Sequence, residues 1–131
     1  MLMKYIGIDY GTKKVGVAIS GEHAAFAFPK EIVPTEGALE RIAEICAQEP
    51  IGGIVIGESI ATNEKENAVG GAARAFAKAL AAKAALPIHF EREDFSSVEA
   101  HRFQTKAGDR DDSAAAIILQ RFLDKRRSTL K

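Results

Sequence analysis

With Cys46 as its only cysteine and no tryptophan, this chain of 131 residues can form neither an internal disulfide nor a zinc site built on cysteines. A reducing, cytoplasmic setting is the natural expectation. No apolar run approaches the roughly 20 residues of a membrane-spanning helix, and Met1-Leu2-Met3-Lys4 leads directly into a strand pattern rather than a signal peptide. No membrane partner is therefore expected. An excess of one charge is missing too. Eighteen Lys and Arg balance eighteen Asp and Glu, so a polyanion would have to meet a local basic patch. His23, His89 and His101 lack the spacing of a metal-binding pair. There is no internal repeat, and the alanine-rich stretch from Ala72 to Ala85 simply favours helix.

What is present is a 47% hydrophobic composition, enough for one core. A single domain is expected over residues 1–125, followed by a basic, solvated tail over 126–131. Apolar and β-branched runs predict strands at 4–9 and 14–20, joined by the glycine-containing turn Tyr10-Gly11-Thr12-Lys13, and a third strand over about 25–33. Leu39, Ile42, Ala43 and Cys46 recur at helical spacing until Glu49-Pro50. The run from Ile51 to Gly57 does not alternate, as in a strand buried on both faces. A polar loop over 62–67 should precede a helix with Val69, Ala73, Phe76, Leu80 and Ala84 on one side. Pro87 to Glu91 predicts a fifth strand. Ser96-Ser97-Val98-Glu99 has the form of a capping box. After a charged loop over 107–112, a last helix runs to about Lys125 with Ala115, Ile118, Leu119 and Phe122 buried.

Three antiparallel strands followed by alternating helix and strand make an α/β fold with a five-stranded mixed sheet and helices on both faces. Ligands of such sheets gather where strands end. Asp9, Glu58 and Glu93 all follow strand ends, and Asp111 and Asp112 open a helix. A carboxylate at the end of an apolar strand loses hydration unless a cation or hydrogen bonds compensate it. The plainer alternatives are a turn at Asp9 with Gly11, solvated loop acids at Glu58 and Glu93, and a helix cap at Asp111 or Asp112.

Four blocks carry a likeness that spans nearly the whole chain: Gly7-Ile8-Asp9-Tyr10-Gly11-Thr12-Lys13-Lys14-Val15-Gly16-Val17-Ala18-Ile19-Ser20, Ile54-Val55-Ile56-Gly57, Glu93 to Ala100, and Asp111 to Leu123. Together they resemble the YqgF/RuvX-type Holliday-junction resolvases, whose fold is ribonuclease H-like. The resemblance implies that Asp9, Glu93 and Asp111 bind divalent metal to cleave phosphodiester bonds in branched DNA or precursor ribosomal RNA. Family spacing selects Asp111 over Asp112, which lies roughly 100° around the helix. Two departures stand out. Where the family continues with Gly-Leu-Pro, this chain has Gly57-Glu58-Ser59, which adds Glu58 as a candidate fourth catalytic acid. Where the family has Asp-Glu-Arg-Leu-Thr-Thr, this chain has Arg92-Glu93-Asp94-Phe95-Ser96-Ser97.

Carboxylates that converge repel one another, and cations lower that cost. Oxygen-only ligands suit Mg²⁺ or Mn²⁺. Lys13, Lys14, Arg92, Ser96, Ser97 and Arg102 are candidate contacts to nucleic acid, against a solvated hairpin tip for the lysines and a capping role for Ser96. Symmetric resolution of a four-way junction would need a homodimer, although no segment reads as a dimer seam. Two other readings compete: a nucleic-acid-binding factor of the same fold with weakened catalysis, and an actin- or Hsp70-type phosphate-binding module. The latter shares Asp-x-Gly-Thr but needs a second domain to close on its nucleotide.

Overall fold

The computed structural model describes residues 3–21, 23, 25–58, 64–92 and 110–130. The β-branched run at the start forms β1, Lys4–Asp9, which turns back into β2, Lys14–Ser20, and then β3, Ala27–Pro34, in an antiparallel meander. Pro34 and Gly37 break the chain, Gly37 with a φ of 90° that glycine adopts without strain. Helix α1, Ala38–Gln48, follows and ends where Glu49 turns extended ahead of Pro50. Strand β4, Ile51–Glu58, lies parallel to β1. Helix α2, Glu64–Ala84, leads to β5, Ile88–Arg92, parallel to β4. Helix α3, Arg110–Leu130, completes the described chain. The five strands lie in the order β3-β2-β1-β4-β5.

The sheet carries a separate core on each face. Ile6, Ile8, Val15, Val17, Ile54 and Ile56 meet Ala38, Ile42 and Ile45 of α1 and Ala77 and Leu80 of α2. On the other face Tyr5, Ala18 and Val55 meet Ala115, Ile118, Leu119 and Leu123 of α3. β4 therefore sends Ile54 and Ile56 to one core and Val55 to the other, which explains its unbroken apolar run. Lys4 Nζ donates to Glu49 at 2.9 Å and holds that carboxyl below the usual carboxylate range, tying the start of β1 to the end of α1. Gln120 secures α3 to the start of β3: it donates to the Ala25 carbonyl at 2.9 Å and accepts from the Ala27 amide at 2.8 Å.

Two boundaries differ from expectation. Helix α2 begins at Glu64, so residues 64–67 are its first turn rather than loop. Acidic residues such as Glu64 and Glu66 suit the positive end of a helix. Helix α3 starts at Arg110, inside the expected charged loop, and continues past Lys125 to Leu130. Its extension is supported by tertiary contacts: Arg126 lies 5.3 Å from the centre of the Tyr5 ring, and Lys125 pairs with Glu91. The capping box at residues 96–99 lies outside the described residues. Among the described residues, no helix is long and apolar enough to cross a membrane.

Candidate active site

β1, β4 and β5 are parallel, so their C-terminal ends share one edge of the sheet. Asp9, Glu58 and Arg92 are the last residues of these three strands. Side chains alternate along a strand. Ile6 and Ile8 enter the α1 and α2 core, while Tyr5 enters the α3 core. Gly7 also faces α3, and the same period puts half-buried Asp9 on that side.

Helix α3 is brought to this end by a close crossing. A Cβ on Gly7 would lie 2.7 Å from Leu119 Cβ and 3.0 Å from the Ala115 carbonyl oxygen, so only glycine admits the helix at this depth. The Tyr5 and Phe122 rings are 5.3 Å apart, so α3 runs opposite to β1. From Gly7 to Asp9 the strand advances about 6.6 Å. From Ala115 back to Asp111 the helix retreats about one turn, roughly 6 Å. The backbone at Asp111 is thereby carried toward the end of β1 that bears Asp9.

The loop after Asp9 is fixed from the β3–α1 junction. Thr35 Oγ1 donates to the Gly11 carbonyl at 2.7 Å, and the Thr35 amide donates to the Lys13 carbonyl at 3.0 Å. A Cβ on Gly11 would fall 2.5 Å from the Lys14 carbonyl oxygen, so the turn closes only around glycine. Lys13 and Lys14 are exposed on this loop, and Tyr10 packs on Phe76 of α2 with ring centres 5.1 Å apart. Thr35 was not singled out by the sequence because it reads there as part of a chain break. Its role depends on hydrogen bonds to residues 24 and 22 positions earlier.

A further acid also escaped the sequence. Gly57 pairs with Glu91, and by the β1–β4 register Asp9 lies level with Gly57. Asp9, Gly57 and Glu91 thus form one row across three strands. Glu91 is 3% exposed, with Lys125 Nζ at 2.7 Å and Arg121 Nε at 3.8 Å. Such a charge requires its cations, since a buried carboxylate without them is strongly disfavoured.

Glu93, Ser96, Ser97 and Arg102 lie outside the described residues, and for Glu58, Arg92 and Asp111 only the backbone is described. Among the described residues no three His, Cys, Asp or Glu side chains cluster as metal ligands. The half-buried carboxylate of Asp9, at a strand end approached by the Asp111 backbone, is the kind of oxygen donor a hard divalent cation takes.

A five-stranded mixed sheet of this order is shared with RuvC-like proteins. Thermus thermophilus RuvC, in a complex described with a Holliday junction substrate, superposes with a TM-score of 0.70 over 97% of each chain at 17% identity. The fold is therefore ribonuclease H-like. The chain belongs to the RuvX family, described as Holliday junction resolvase, which matches residues 3–125. Relatives described as "Putative pre-16S rRNA nuclease" include a Maridesulfovibrio salexigens protein, 36% identical and covering 92% of this chain and 98% of its own length. Another, from Lawsonia intracellularis, is 34% identical and covers 96% of each.

Proposed function

We propose that this protein is a divalent-metal-dependent endonuclease that cuts phosphodiester bonds in structured nucleic acid, with precursor 16S ribosomal RNA as its first substrate class. The observation that carries the reading is Asp9 at the end of β1, on the face where the Gly7 crossing directs the α3 N-terminus and Asp111. Asp9, Glu93 and Asp111 are the residues that would hold Mg²⁺ or Mn²⁺, with Glu58 as a fourth acid. When bound, the metal supplies activation of a water and stabilisation of the leaving oxygen. Asp111 lies in the first turn of α3, the end of a helix that favours negative charge. Lys13 and Lys14 on the Thr35-anchored loop receive backbone phosphates, together with Arg92, Ser96, Ser97 and Arg102. The RNA substrate is favoured by the names of the curated relatives. Branched DNA is the second reading, favoured by the RuvC likeness; it alone calls for a homodimer.

The test is cleavage of precursor 16S rRNA and of a four-way DNA junction with Mg²⁺ or Mn²⁺ supplied or chelated. Asp9→Asn should lose at least about 100-fold in rate, since even residues supporting metal ligands are worth 10- to 100-fold. Metal-independent cutting, or full activity in Asp9→Asn, contradicts the proposal. Binding of either substrate without cutting favours the weakened factor instead.

A further inference from the structure

Along β5, the edge strand among the described residues, lies a cleft of about 670 Å³ lined by Ile88, His89, Phe90, Glu91, Phe122, Lys125 and Arg126. That volume is in the range of small-ligand sites, 300–1,000 Å³. Its lining is aromatic and basic. His89 packs at a tilt of 37° on Phe122 with ring centres 4.9 Å apart, Phe122 meets Tyr5 at 5.3 Å, and Arg126 lies over the Tyr5 ring. Lys125 and Arg121 pair with Glu91, and Arg126 joins Lys125 in the lining, so the cleft carries more positive than negative charge. The Lys125–Glu91 pair, with the lysine exposed and the carboxylate buried, holds this part of α3 at the cleft wall.

Glu91 belongs both to the cleft lining and to the row that contains Asp9. Glu91 is level with Gly57, and Gly57 with Asp9. Two strand spacings, about 10 Å, separate Glu91 from Asp9 on one face, and the residue between them has no side chain. Rings that accept a flat partner beside cations that accept a phosphate are the chemistry of single-stranded nucleic-acid binding.

We propose that this cleft holds an unpaired nucleotide flanking the bond to be cut, its base against the His89 and Phe122 rings and its phosphate against Lys125 and Arg126. The position of the bond rests on the nuclease reading; the cleft's affinity for a single strand does not. RNA and DNA share this chemistry, and the test separates them.

Binding is read by fluorescence anisotropy with the full chain in chelator, using a labelled single-stranded RNA, the DNA of the same sequence, and a blunt duplex. His89→Ala should weaken single-strand binding by about five-fold or more, the effect of losing one base–aromatic stack. Arg126→Glu should weaken it further, and both should leave the melting temperature and duplex binding little changed. A larger loss for RNA than for DNA identifies RNA as the occupant, and the reverse identifies DNA. Single-strand affinity equal to wild type in both folded variants overturns the proposal and leaves the cleft to a protein partner. Failure of the wild-type chain to bind single strands also overturns it. Single-strand binding that depends on His89 and Arg126, in a chain that cuts neither substrate, keeps the cleft and removes the nuclease reading.

Discussion

Beneath α1 and α2 the sheet presents Ile6, Ile8, Val15, Val17, Ile54 and Ile56, all fully buried. Beneath α3 it presents Tyr5, Gly7, Asp9, Val55, His89 and Glu91. The first face is aliphatic, and each buried side chain contributes about 1.5–3 kcal/mol to holding the layers together. The second contains glycine where the helix must come close, rings that stack on one another, and carboxylates in one row. One sheet therefore divides its work, with stability concentrated on one side and the placement of charge on the other.

That division can be broken from either side. Ile54→Ala, in the aliphatic core, should cost about 2–5 kcal/mol of stability, measured by urea unfolding. The folded fraction should keep its rate of cleavage, and a rate loss beyond the loss of folded protein would contradict the division. Gly7→Ala adds a methyl where the gap is 2.7 Å. Overpacking of this kind costs about 1–3 kcal/mol, but the displaced α3 should also weaken Mn²⁺ binding in the protein that remains folded, which calorimetry at low temperature would read.

Thr35→Val removes the donor to the Gly11 carbonyl. The expected cost is about 1 kcal/mol of stability, with a raised KM that Thr35→Ser restores. A Val variant with unchanged KM would show that the loop bearing Lys13 does not need this anchor. The smallest effect is expected at Cys46, on the inner side of α1, where burial pushes the thiol up to about 11 from its ordinary 9.0. Because the folded value is the higher one, this contribution to stability is complete below pH 9.0 and is lost as pH rises through about 11. Replacing Cys46 with Ala should flatten that alkaline limb of the unfolding profile. Alkylation of the native thiol near neutral pH should be slow, since the thiolate is the reactive form.

Much of the aliphatic face was legible before any coordinates, because its signal is local. β1 and β2 occupy the residues expected from their β-branched runs, and β4 is buried on both faces as its lack of alternation requires. The other face was less legible because its determinants are long-range. The basic end of α3 reads as a solvated tail until Tyr5 and Glu91 are seen beside it. Glu91 reads as an ordinary strand residue until Lys125 and Arg121 approach. Thr35 shows no sign of its hydrogen bonds to a loop more than 20 residues earlier. At the candidate site, the strand-end position of Asp9 followed from sequence, whereas its alignment with Gly57 and Glu91 required the strand order and register.

The central claim is that acids far apart in the chain converge at the end of β1 to hold a divalent cation. Calorimetric titration of Mn²⁺ into the wild-type chain, Asp9→Asn and Asp111→Asn addresses it directly. Binding by the wild type and its loss in both variants, with all three chains equally folded, is the predicted result. Wild-type Mn²⁺ affinity in folded Asp9→Asn would contradict the claim.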